Sequence, residues 1–95
     1  MLDQAKMVMQ MRKLQKQLAK QIIEVSAGDG AVTVKITGEQ KIKDIHIEPD
    51  MVDLDDVSQL ESWLETAVKE AINKSQQYAA EKMRPVMGDL GKLGL

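Results

Sequence analysis

The chain has 95 residues, 13 cationic and 15 acidic side chains, a net charge of −2, seven Met, one Trp, one Tyr, and neither Phe nor Cys. This length makes one domain with a modest, aliphatic and Met-rich core, and the lack of Cys excludes disulfides, thiolate nucleophiles and cysteine metal sites. No apolar run approaches the ~20 residues of a membrane span, and charges interrupt the N-terminal stretch where a signal peptide needs an apolar region, so a soluble cytoplasmic protein with no membrane partner is expected.

Residues 2 to 22 sort into two opposite faces when wound as a helix. At ~100° per residue, Met7, Met11, Leu14, Leu18 and Ile22 share an arc of roughly 80°. Lys6, Arg12, Lys13, Lys16 and Lys20 occupy an arc of roughly 120° nearly opposite. The only acid in this segment is Asp3, so its local sign opposes that of the whole protein. A basic helical face on an acidic protein is a docking place for a polyanion. The four-three alternation of Met7, Met11, Leu14 and Leu18 is the seam of a helix that packs on another helix.

At Ile22 the period changes. Ile23, Val25 and Ala27 alternate with Glu24 and Ser26, which predicts a strand. Gly28-Asp29-Gly30 predicts a hairpin turn, because glycine tolerates positive φ. Val32, Val34 and Ile36 form the apolar side of a second strand, and Gly38-Glu39-Gln40 turns the chain again. In the third strand, Lys41 to Glu48, Ile45 and Ile47 are in phase while Ile42 is not. Either Ile42 faces away from the core, or a bulge near Lys43-Asp44 resets the register, and the bulge is the preferred reading. Ile45 and Ile47 are then core residues and His46 faces outward. Pro49 ends the strand.

Asp53 and Ser58 are candidate N-caps for a long helix, Ser58 pairing with Glu61 as a capping box. Its apolar stripe runs from Val57 through Leu60, Leu64, Ala67, Val68, Ala71 and Ile72 to Met83. The helix is expected to stop near Arg84, before Pro85. Residues 1–87 then form one domain and 88–95 a flexible Gly/Leu-rich tail. The fold class is α+β: a three-stranded antiparallel meander between two long amphipathic helices. Helices of roughly 30 and 40 Å overhang a sheet whose strands are ~20 Å long. A homodimer is expected to cover the stripe ends, and a second copy can also cover the open sheet edge.

The block Glu24-Val25-Ser26-Ala27-Gly28-Asp29-Gly30-Ala31-Val32-Thr33-Val34-Lys35-Ile36-Thr37-Gly38, with the amphipathic helix before it and Ile47-Glu48-Pro49 after it, resembles the YbaB/EbfC family of bacterial nucleoid-associated proteins. The resemblance extends over the whole chain, including a Met-Gly, Gly-Leu-rich end. It implies an α-β-β-β-α fold, a tweezer-shaped homodimer whose protruding helices contact duplex DNA, and a role in nucleoid organisation or gene regulation. The recognisable block serves turn and strand geometry, so contact residues must come from the helices. They are Lys6, Arg12, Lys13, Lys16 and Lys20 on the first helix. On the second, acidic up to Lys74, they are Lys74, Lys82 and Arg84.

Other chemistry is thin. His46 has no second imidazole or thiol to share a metal or a catalytic task. Asp53, Asp55 and Asp56 lack the Gly and late Glu of a calcium loop, and no Lys-Ser or Lys-Thr follows Gly28-Asp29-Gly30 as in a phosphate loop. No enzyme activity, metal, cofactor or small-molecule substrate is expected. Trp63 and Tyr78 are too far apart for a single-strand stacking platform. Contacts should therefore fall mainly on phosphates, with weak sequence preference. The plain alternative for the basic face is a solvated surface, and for the Met-rich seams a protein–protein adaptor that does not bind DNA.

Overall fold

The computed structural model describes residues 2–92, and the side chains of residues 4–88. The elements are α1 (Leu2–Lys20), β1 (Ile22–Ala27), β2 (Val32–Thr37), β3 (Ile42–Ile47), a short 3-10 turn (Pro49–Met51) and α2 (Val57–Lys92). The strands form one antiparallel sheet in the order β1-β2-β3, so the architecture is the α-β-β-β-α meander expected. Gly28, Asp29 and Gly30 all have positive φ at the β1–β2 turn, and Gln40 has it at the next.

The flaw in the third strand is a bulge. Lys35 pairs with Asp44 but Ile36 pairs with Ile42, leaving Lys43 as the extra residue. The shift puts Ile42, Ile45 and Ile47 opposite Ile36, Val34 and Val32, and opposed residues of an antiparallel pair share a face. His46 lies opposite Thr33 on the other face, with Nε2 3.6 Å from a carboxylate oxygen of Glu48.

Val25, Val32, Val34 and Ile36 pack against Ala67 and Ala71 of α2 to make the core, with Trp63, Leu64 and Val68 around it. Small residues on α2 let helix and sheet approach closely. Among the described residues, helix α2 lies over β1 and β2 and does not approach β3. The expectation that Ile45 and Ile47 are core residues is therefore corrected. They are on the core side, yet Ile45 is 44% and Ile47 36% exposed, because one helix cannot cover three strands.

Two glycines hold the helices to the sheet. A Cβ on Gly28 would lie 2.5 Å from Trp63 Cδ2, and its φ is +63°. Gly28→Ala should therefore lower stability by about 2–3 kcal/mol, combining left-handed strain with a displaced indole. A urea titration followed by Trp63 fluorescence checks this; a loss below about 0.5 kcal/mol would mean that the turn is free to move. Gly38 N–H donates to the carbonyls of Leu18 (2.8 Å) and Gln21 (3.1 Å), closing the end of α1 on the sheet.

The start and end of α2 differ from expectation. Asp53 Oδ1 accepts the Asp55 N–H and Asp56 Oδ1 accepts the Ser58 hydroxyl. The helix begins at Val57, which puts Ser58 inside its first turn rather than at the cap. The helix also runs through Pro85 to Lys92. Pro85 removes one intrahelical hydrogen bond, but Pro85 and Val86 line a cleft against Gln10, Lys13, Leu14 and Gln17 of α1. Packing on α1 holds the segment helical where local propensity alone would end it. The proposed boundary at residue 87 thus falls within a helix, and residues 93–95 of the expected tail lie outside the described residues.

Candidate nucleic-acid interface

Helices α1 and α2 run antiparallel. Tyr78 Oη donates to Gln21 Oε1 at 3.4 Å near the sheet, while Pro85 and Val86 meet Gln10 and Leu14 further out. Leu14 and Leu18 are buried in this contact, whereas Met7 and Met11 are only partly covered. The molecule is accordingly long, 63 × 20 × 15 Å, and the first turns of α1 lie away from the hydrophobic core.

Burying the Leu14–Leu18 stripe turns the opposite side of α1 to solvent. Lys6, Arg12, Lys13, Lys16 and Lys20 are all exposed. None of them takes part in the ion pairs found among the described residues. A shallow depression of about 450 Å³ borders this face, lined among the described residues by Lys6, Met9, Gln10, Arg12, Lys13 and Lys16.

Helix α2 treats its cations differently. Lys69 Nζ is 2.6 Å from Glu65 Oε1, and Lys74 Nζ is 3.2 Å from Glu70 Oε1, both across one helical turn. The hydrogen bond and then the charge of Lys69 hold the Glu65 carboxyl below its ordinary range. Lys74, a sequence candidate, is thus partly neutralised by its own helix. Lys82 Nζ sits 5.5 Å from the Tyr78 ring centroid, and Lys82 lines the same α1–α2 cleft as Lys13. Arg84 is exposed but lies ~200° around the helix from Lys82, so the two do not present to one surface. The structure therefore joins Lys82 to the first-helix set and separates Lys74 and Arg84 from it.

Two features escaped the sequence reading. Met9 is 68% exposed and lies among the cations instead of on the apolar stripe. The second is the bare apolar side of β3. Ile42, Ile45 and Ile47 are exposed there, as are Met51 and Leu54 in the stretch that follows and Val57 at the start of α2. A series of large apolar side chains left open in this way marks an interaction surface. Among the described residues there is no cluster of His, Cys, Asp or Glu that would hold a metal ion, and no helix is long and apolar enough to cross a membrane.

On this projecting helix, a basic face without carboxylate partners among the described residues creates a positive local field. The chain belongs to the YbaB/EbfC DNA-binding family, whose model matches residues 1–90. It is 46% identical over 81 residues to a nucleoid-associated protein of Chloroflexus aurantiacus, covering 85% of this chain and 81% of that one. It is 42% identical over 88 residues to a nucleoid-associated protein of Ruminiclostridium cellulolyticum, covering 93% and 76%. The fold is similar to the crystal structure of an uncharacterized protein from Helicobacter pylori, with a TM-score of 0.79, 17% identity and 87% of each chain covered.

Proposed function

We propose that this protein is a nucleoid-associated DNA-binding protein that works in the cytoplasm as a homodimer. It holds duplex DNA through the basic face of α1, mainly at phosphates and with weak sequence preference, and thereby organises the nucleoid or regulates genes. The family and the names of its relatives support the DNA partner. The observation that carries the choice of surface is the contrast in pairing. The α1 cations have no carboxylate partner among the described residues, whereas Lys69 and Lys74 are held by Glu65 and Glu70. An unpaired cation gives its full charge to a phosphate, while a paired one must first give up its carboxylate.

The open side of β3 supports the second copy. A dimer that covers Ile42, Ile45 and Ile47 removes apolar surface from water on both chains at once and protects an edge strand. Each dimer then offers two α1 arms to one duplex.

Charge reversal tests the surface. Lys13→Glu with Lys16→Glu should abolish the gel shift of random duplex DNA while leaving circular dichroism and sedimentation unchanged, because both side chains are exposed and Lys13 only rims the α1–α2 cleft. Lys69→Glu should weaken binding only a few-fold, although it changes the surface charge by two units per chain. Losses of binding free energy in proportion to the charge changed, four units per chain on α1 against two at Lys69, would show that only net charge is felt, and α1 would lose its role.

A further inference from the structure

The basic face of α1 has an apolar centre. Met9 follows Lys6 by three residues and precedes Arg12, Lys13 and Lys16 by three, four and seven. At ~100° per residue this puts Met9 near the middle of the cationic arc, with Lys6 and Lys13 on one side and Arg12 and Lys16 on the other. It is 68% exposed, and it shares the bordering depression with the same four cations. The apolar stripe that packs α1 lies on the far side of the helix, so Met9 contributes little to the fold. When α1 approaches a duplex with its cations toward phosphates, Met9 is among the side chains nearest the groove.

We infer that Met9 is a wedge that enters the minor groove of bound DNA and partly unstacks one base step, bending the duplex. The inference rests on the reading of α1 as the DNA-binding face. The minor groove is ~6 Å wide, and the phosphates that flank it attract cations on both sides of the wedge. An unbranched thioether is slim and adaptable, and methionine is among the apolar residues that kink DNA in this way. Unstacking costs least at pyrimidine–purine steps such as TA and CA/TG. The wedge therefore adds a mild preference for flexible steps to an affinity otherwise set by phosphates. This preference depends on deformability and not on base-edge hydrogen bonds.

End-to-end fluorescence transfer on a labelled duplex of ~25 base pairs, read together with a gel shift at low salt, tests the inference. The wild-type dimer should shorten the end-to-end distance, more so when the central step is TA than within an A-tract. Met9→Ala, compared at protein concentrations that saturate the duplex, should lose most of the bend and the TA preference. Met9→Leu should keep both. A Met9→Ala protein that bends DNA like wild type, or a wild-type complex in which the DNA stays straight, would overturn the wedge while leaving the phosphate-binding reading intact. A wild-type protein that does not shift duplex DNA at all would remove that reading, and the wedge with it.

Discussion

A fourfold rise in salt should weaken binding to duplex DNA by roughly 250- to 1000-fold. The expectation follows from the α1 cations, which have no carboxylate partner among the described residues. A dimer presents Lys6, Arg12, Lys13, Lys16 and Lys20 twice, and about half of these should reach phosphates along a curved duplex. Four to six neutralised phosphates at ~0.9 released counterions each give a slope of log K against log salt of about −4 to −5. Unrelated duplex sequences should differ far less than this. Lys82, beside Lys13 at the α1–α2 cleft, adds to the slope only if the duplex settles that deeply. Lys82→Gln should in that case flatten the slope by about one unit for each phosphate left without its ammonium partner. Helix α2 begins with Asp53, Asp55 and Asp56 just ahead of it, and these repel phosphate, so the duplex should lie toward the projecting end of the molecule. A slope near zero would mean that the cations are only a solvated surface, and would favour an adaptor that does not bind DNA.

The meander was legible because its signals are local. Alternation of Val32, Val34 and Ile36, glycine at the turns, and the phase slip between Ile42 and Ile45 each report backbone geometry within a few residues. That slip leaves two readings, Ile42 turned away from the core or a bulge near Lys43-Asp44, and the strand pairing decides for the bulge at Lys43. The failures came where tertiary contact overrode a local signal. Pro85 reads as a stop, yet contact with α1 keeps α2 helical past it. Ile45 and Ile47 read as core, and their phase is right. Alternation reports which side a residue takes, but not whether a helix reaches that strand.

The candidate site divides in the same way. The separation of cations from the apolar stripe on α1 is a property of the helical period and survives intact. Pairing of Lys74 with Glu70 was readable too, since Glu followed by Lys four residues later is a favoured helical pair, and that signal should have demoted Lys74. Joining Lys13 to Lys82 needs the antiparallel register of two helices far apart in sequence, which no local pattern carries. The exposure of Met9 was implicit in the helical angles, but an apolar residue on a polar face attracts no notice until its accessibility is known.

The second large effect concerns the dimer. Ile45→Asp should leave a folded monomer and weaken self-association at least about a thousandfold, or roughly 4 kcal/mol. The monomer tolerates the change because Ile45 is 44% exposed and, among the described residues, α2 does not approach β3. In a symmetric dimer that buries this side of β3, the substitution appears twice, and each carboxylate would lose water without gaining a partner. Sedimentation at micromolar concentration should therefore show about one chain mass for Ile45→Asp and two for the wild-type protein. A monomer brings one α1 arm to the duplex, so its salt slope should fall to about half that of the dimer. Lys43→Asp provides the comparison, because it adds the same kind of charge at the bulged position, outside the row of Ile42, Ile45 and Ile47. An Ile45→Asp protein that sediments as a dimer would move the interface to the α1 seam, where Met7 and Met11 are only partly covered. A wild-type monomer would remove the paired-arm arrangement and leave the β3 surface without a second copy to cover it.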